Sequence, residues 1–353
     1  MVQLNRSSGK AAMFILFLTL AALASPARAA VILLYHHVAE DTPASTSVTP
    51  AMFETHLRHL REEGFEVVRL DELVRRVRAG EPAETKLAAI TFDDAYRSIH
   101  DNAMPLLARH GWPASVFVST GAVGEGGNMM NVAQLQALQE AGHLLLNHSH
   151  RHAHLVRRQD GESARAWAQR VRADIEQAQA LLSDWLGEPP PRYVAYPYGE
   201  QDEAVRALLR DLDYLGFAQR SGAVDADTDW QNIPRIPVNR HYADWDSLGD
   251  KVRALPMPVR DVSPAGGVTT EKRPVLTMRL PASWADRNVN CFAGGAAVVE
   301  RATVQDGVQL RVTPGRDLTP GRTLVNCTAS AGQGRFYWYS WLWMHHDGEW
   351  YRE

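Results

Sequence analysis

The sequence predicts an α/β protein: a distorted barrel of seven or eight parallel strands with helices between them, followed by a small antiparallel β-sandwich. Three observations carry this. From Val31 to Ala254, short apolar runs alternate with segments of helical period, which argues for parallel strands joined by crossover helices. The polar residues with most chemical capacity fall just beyond the C-terminal ends of those runs, the face on which barrel enzymes build their sites. Beyond Arg260 the texture changes to short β-type runs separated by Gly- and Pro-containing turns.

Residues 1–29 read as a signal peptide. Arg6 and Lys10 form a positive start, residues 11–24 an apolar core, and Ala27-Arg28-Ala29 an A-x-A cleavage site. The apolar run is shorter than the ~20 residues a membrane span needs, and no Cys near the cleavage point offers a lipid anchor. A periplasmic or secreted protein without a stable membrane span is therefore expected.

The elements follow in order. Residues 31–35 (VILLY) form a buried strand, and Thr49 caps a helix with Met52, Phe53, Leu57 and Leu60 on one face. Residues 65–70 read as a strand, Asp71 as the cap of a helix through Ala79, and 87–92 as a strand. A helix is expected over 98–110, a strand over 113–119, a helix over 132–141 and a strand over 144–147. The long amphipathic segment 163–186 is closed by Gly187. Strands are expected at 192–196, 216–219 and 233–238, with helices at 202–212 and 245–254. The barrel unit spans residues 30–260, residues 261–273 read as a linker, and 274–353 as the sandwich.

The net charge of −4 is too mild to advertise nucleic acid or an anionic membrane as a partner. The two cysteines, Cys291 and Cys327, are expected to pair in an oxidising compartment.

Two polar clusters stand out. Thr91-Phe92-Asp93-Asp94 closes one apolar run, and the histidines at 148, 150, 152 and 154 follow another. One Asp with two His is the donor set of a catalytic metal site that keeps a position open for water, and a second Asp beside that water suits a general base. A metal-dependent hydrolase follows. Spacing alone does not choose among the four histidines.

The paired motifs Thr91-Phe92-Asp93-Asp94 and His148-Ser149-x-x-His152 resemble the first two motifs of the NodB-homology polysaccharide deacetylases, carbohydrate esterase family 4. Ala195-Tyr196-Pro197-Tyr198-Gly199 resembles the third, and Tyr35-His36-His37-Val38 resembles the N-terminal segment of the poly-β-1,6-N-acetylglucosamine deacetylase branch, where the catalytic His motif is permuted. The resemblance covers residues 31–255. It implies Asp94, His148 and His152 as ligands of a divalent ion, zinc ahead of cobalt or nickel. It implies Asp93 as base, His36 as the acid for the departing amine, and the backbone N–H of Tyr198 as oxyanion donor, with Pro197 and Gly199 completing a substrate-contacting turn. His37 is the competing acid, although pleating aims it to the other side. Two departures matter: the Gly that often follows the Asp pair is Ala95, and the third motif's Arg is Ala195. Arg235 is the expected substitute for that Arg, ahead of Arg192.

Trp112, Trp230 and Trp245 are candidates to line a sugar cleft, Trp230 foremost. In the aromatic run 336–343, alternation puts Tyr337, Tyr339, Trp341 and Trp343 on one face and Phe336, Trp338 and Ser340 on the other. One face is sandwich core; the other is a glycan-stacking strip or a domain interface. The expected function is N-deacetylation of an N-acetylglucosamine polymer, preferably the β-1,6-linked one. Peptidoglycan, chitin-type or other exopolysaccharides are the alternative substrates, and a polysaccharide export machine is a possible partner. The rival is a non-catalytic glycan-binding protein of an export system.

Overall fold

The computed structural model describes residues 30–80 and 86–351. The expected signal peptide lies outside the described residues. Among them, no helix is long and apolar enough to cross a membrane.

Eight parallel strands make the first sheet. They are β1 (Ala30–Tyr35), β2 (Phe65–Val67), β3 (Lys86–Asp93), β4 (Ser115–Val118), β5 (Leu144–Asn147), β6 (Tyr193–Ala195), β7 (Leu215–Phe217) and β8 (Ile236–Pro237). Their order is β8-β1-β3-β4-β5-β6-β7, with β2 alongside the first residues of β3. Helices α1 (Pro50–Glu62) to α7 (Trp245–Val252) flank the sheet. Such strands are covered on both faces, which is why they read as unbroken apolar runs.

Pleating divides the strand residues into two sets. Ile32, Ala89, Phe117, Leu146, Phe217 and Ile233 pack with one another inside the barrel. Leu33, Ile90 and Val116 pack outward against the helices. Because side chains alternate, the inner set continues to His36, Asp93, His148 and Arg235 at the strand ends. The alternation that builds the core thus delivers those four side chains to one mouth.

Closure is irregular. No helix joins β7 to β8; residues 233–237 instead pair first with β7, through Phe217 and Ile233, and then with β1, through Leu33 and Ile236. The strand expected over 233–238 is therefore only Ile236–Pro237, since the segment must hand over between two neighbours.

Other boundaries shift for local reasons. The helix Leu70–Arg78 has Arg69 at its N-cap, so Asp71 lies in its first turn rather than capping it. The helix expected over 98–110 opens with a wide π turn, Ile99–Ala103, before Met104–His110. Pro105 supplies no N–H to the preceding turn, which accounts for the widening.

The C-terminal region forms two packed sheets. One has the order β9 (Leu255–Pro256), β17 (Arg335–His345), β16 (Gly321–Gly332), β13 (Asn290–Ala293), with β11 (Val268–Thr269) also on β17. The other runs β10 (Arg260–Ser263), β12 (Leu276–Leu280), β15 (Gly307–Pro314), β14 (Ala297–Val304). The stretch expected as a linker carries β10 and β11, so it belongs to the sheets. Nor is the pairing wholly antiparallel, because β9 and β11 run parallel to β17.

Leu276, Leu310, Val325, Trp341 and Trp343 fill the sandwich. Cys291 and Cys327, directly opposed on β13 and β16, form a disulfide. The face carrying Tyr337, Tyr339, Trp341 and Trp343 is the core face. From the opposite face, Leu342 and Met344 pack against Val205, Leu208 and Leu209 of the helix Glu203–Asp211. The backbone carbonyl of Ser340 accepts a hydrogen bond from the buried Arg220 (3.0 Å). The second face of the aromatic strand is thus mainly a seam with the barrel.

Candidate active site

Four loops at the C-terminal ends of the strands form the mouth. Asp94 Oδ1 lies 3.3 Å from His148 Nε2 and 3.2 Å from His152 Nε2. The ligand atoms of these three residues all fall within 4.8 Å of one another. His148 Nδ1 donates to the carbonyl of Ala195 (2.9 Å), which fixes the ring and leaves Nε2 with a lone pair facing the carboxylate. Asp94 Oδ1 and His148 Nε2 are buried without a hydrogen-bond partner. Two buried acceptors left unpaired are costly unless something electropositive sits between them. The donor set, one carboxylate and two imidazoles, therefore fits a divalent cation.

Asp93 and Arg235 are wholly buried beside this cluster. Arg235 donates Nη1 to Oδ1 (2.6 Å) and Nη2 to Oδ2 (2.8 Å), while its Nε donates to the carbonyl of Ala218 (3.0 Å). The bidentate fork holds the carboxylate in one plane. Arg192 is elsewhere, donating to the carbonyl of Leu212 and lying over Tyr214.

Electrostatics favour ionised carboxylates here. Burial pushes the Asp93 pKa up, but the charges of Arg235 and then His148 outweigh it and hold it below the ordinary range. Asp94 is held well below that range: burial again opposes, and the His148 and His152 imidazoles prevail. Burial lowers His148, yet Asp93 and Asp94 leave it raised, the mark of a negative pocket. His36 is lowered by burial, with Asp94 and Asp93 opposing. His37 points the other way, stacked on Tyr96 at 3.6 Å and hydrogen-bonded to Ser98 Oγ (3.3 Å).

Backbone strain gathers at the mouth. Asp94, Ala95, Ser149, His152 and Tyr198 all have positive φ, between 50° and 73°. Left-handed backbone disfavours a Cβ, so a Gly suits position 95 where this chain has Ala. Tyr198 sits at φ 60, ψ 5 between the buried Pro197 and Gly199. A Cβ on Gly199 would come within 2.7 Å of the Gln219 Cβ, so the turn needs glycine. Of these three residues, Tyr198 alone shows a half-exposed side chain.

The aromatic expectations fare worse. Trp230 packs with Tyr193 and Leu215, the first residues of β6 and β7, and lies under the Arg78 guanidinium (5.3 Å). It precedes the ascending segment 233–237, so it sits at the barrel end opposite the mouth and cannot line a substrate cleft there. Trp112, just before β4, packs with His110 and Arg61, and Trp245 stacks on His59. His150 is held by Thr120 and Gln177.

Two site residues escaped the sequence reading. Burial, and then the charge of the nearby Asp94 carboxylate, raise the pKa of Tyr96. Glu200, wholly buried, accepts from His154 Nδ1 (2.8 Å) and Arg157 Nη2 (3.3 Å). Tyr96 and Glu200 each lie within two residues of a motif, and that proximity was the only signal.

Residues 80–217 match the family described as Polysaccharide deacetylase. His36 and Arg235 lie outside that match. Among curated proteins, the chain is similar to the poly-beta-1,6-N-acetyl-D-glucosamine N-deacetylases of Staphylococcus epidermidis and Staphylococcus aureus. The first is 27% identical over 217 residues, 58% of this chain and 74% of that protein; the second is 24% identical over the same length. Among solved structures, the fold is similar to the Streptococcus pyogenes deacetylase PplD (21% identity, TM-score 0.57, 64% of this chain and 99% of that one). It is also similar to IcaB from Ammonifex degensii (24% identity, TM-score 0.54, 64% and 97%). With this fold and these motifs on one chain, residues 80–217 mark a polysaccharide deacetylase domain, the domain of a hydrolase acting on amide bonds.

Proposed function

We propose that this protein is a metal-dependent N-deacetylase of an N-acetylglucosamine polymer, with the β-1,6-linked polymer as preferred substrate. The observation that carries the reading is the juxtaposition of the Asp94–His148–His152 cluster with an ionised Asp93 held by Arg235. The similarity to the staphylococcal deacetylases supports the choice of polymer.

Asp94, His148 and His152 would hold the cation, with zinc preferred for two imidazoles and one carboxylate. Bound there, it would acidify water and polarise the acetyl carbonyl. Asp93, fixed by Arg235, takes a proton from the attacking water as the new C–O bond forms. The carbonyl electrons move onto oxygen, where the Tyr198 N–H stabilises the charge. Collapse breaks the C–N bond, and His36 protonates the departing amine, yielding acetate and a free amino sugar. Burial lowers the His36 pKa, and the two carboxylates oppose that shift without reversing it. We place the deacetylase unit at residues 30 to about 254 and the sandwich from Leu255, where pairing with β17 begins. We further propose export, with an exopolysaccharide as the partner.

Acetate release from defined β-1,6-linked N-acetylglucosamine oligomers tests the reading. The zinc-loaded protein should release acetate, and Asp93→Asn should lower kcat by about 10²–10⁴-fold while still binding zinc. Equal rates for the two proteins would refute it.

A further inference from the structure

We propose that the C-terminal sandwich is a positioning element of the deacetylase site, acting on the Tyr198 turn through the buried Glu200 and through Arg322. The inference rests on the deacetylase reading above, in which Tyr198 supplies the oxyanion donor.

Glu200 directly follows the turn, and its N–H donates to the carbonyl of Pro197 (3.2 Å). Its side chain is wholly buried, yet its partners come from two separate segments, the loop 154–157 and the stretch after β17. Oε2 accepts from His154 Nδ1 at 2.8 Å. Oε1 accepts from the Tyr351 hydroxyl at 2.6 Å and from Arg157 Nη2 at 3.3 Å. Tyr351 lies in the segment after β17 and is itself clamped. Its carbonyl accepts from Arg157 Nη1 (3.1 Å), and its ring lies 4.7 Å from that guanidinium.

The network bears on Tyr198 from two sides. The His154 ring, oriented by Glu200, stacks on the Tyr198 ring at 3.9 Å and 11°. Arg322, from β16, donates Nη1 to the carbonyl of Tyr198 at 2.6 Å. Tyr198 needs holding, because left-handed backbone on a bulky residue is strained and persists only where surroundings over-determine it. Two of the holds, Arg322 directly and Tyr351 through Glu200 and His154, belong to the sandwich region. His154 also shares its loop with His152, so the same carboxylate ties the turn to the cluster.

The test uses Tyr351→Phe, Arg322→Ala and Arg322→Lys in the full-length, zinc-loaded chain. Tyr351→Phe and Arg322→Ala should each lower kcat for acetate release about tenfold with KM unchanged, as removal of an orienting partner does. Arg322→Lys, which retains a donor, should recover most of the loss. Amide hydrogen exchange in a peptide spanning 196–201 should quicken in both weakened variants while peptides from β3 and β15 stay as in wild type. A lower melting temperature with kcat and the exchange of 196–201 unchanged would overturn the proposal. If wild type releases no acetate, the deacetylase reading fails by itself, and the exchange comparison still decides whether the sandwich holds the turn.

Discussion

Arg235 grips Asp93 through two parallel hydrogen bonds of 2.6 and 2.8 Å, although 142 residues separate them. Both side chains are wholly buried, so the pair is far from solvent screening. The third motif of the resemblance has Ala195 where an arginine is usual, and this guanidinium, just before β8, is the one we propose orients the base.

Breaking that pair should be costly twice over. Arg235→Ala leaves a buried carboxylate uncompensated, which costs about 3–5 kcal/mol, to be read from urea denaturation. Arg235→Lys keeps the charge but not the fork, so it should stay folded and lose kcat by about tenfold or more. Wild-type kcat in the lysine variant would show that the fork does not orient the base.

Chelation should abolish acetate release, and added zinc should restore it. Because a ligand that binds only the folded state stabilises it, zinc at about 100 times its Kd should raise unfolding free energy by about 2.7 kcal/mol. His148→Ala removes one of the two buried unpaired acceptors and should erase that gain, measured by melting with and without zinc.

Acid should weaken the fold partly through His37. Burial, then the neighbouring His36, push its pKa from 6.5 down to about 4. The unfolded chain therefore binds this proton first. The stabilisation is complete above about pH 6.5 and is lost as pH falls toward 4, at no more than about 1.4 kcal/mol per unit. His37→Gln should flatten the stability–pH slope across that window, and an unchanged slope would refute the assignment.

The disulfide closes a loop of 36 residues' separation. In the chain-entropy model its loss costs roughly 4 kcal/mol. Cys291→Ser with Cys327→Ser should lower the sandwich's unfolding transition accordingly, checked by calorimetry with the reduced wild type as comparison.

Much of this protein was legible in its sequence because the information is local. Apolar runs such as 31–35 and 87–90 announce buried strands whatever they pack against, and the motifs lie at those runs' ends. Period-two alternation even separates His36 from His37. Asp94, His148 and His152 could be placed at one mouth because parallel barrel topology brings strand ends together.

Other features depended on which distant segments meet. Whether Arg235 reaches Asp93 turns on the irregular closure after β7, where no helix intervenes. Trp230 faces the wrong end because the chain descends between Phe217 and Ile233 before rising again. The outer face of the aromatic strand is a seam with the barrel, since Leu342 and Met344 meet Val205 and Leu208. Glu200 gains its partners from His154, Arg157 and Tyr351, which no spacing rule connects. The sequence by itself determined the strands, their polarity and the chemistry at their ends, because backbone alternation and side-chain type are properties of short stretches. Only the tertiary structure decided which arginine reaches Asp93, which face of the aromatic strand is core and which distant tyrosine reaches Glu200, because burial and hydrogen bonding are properties of neighbours in space.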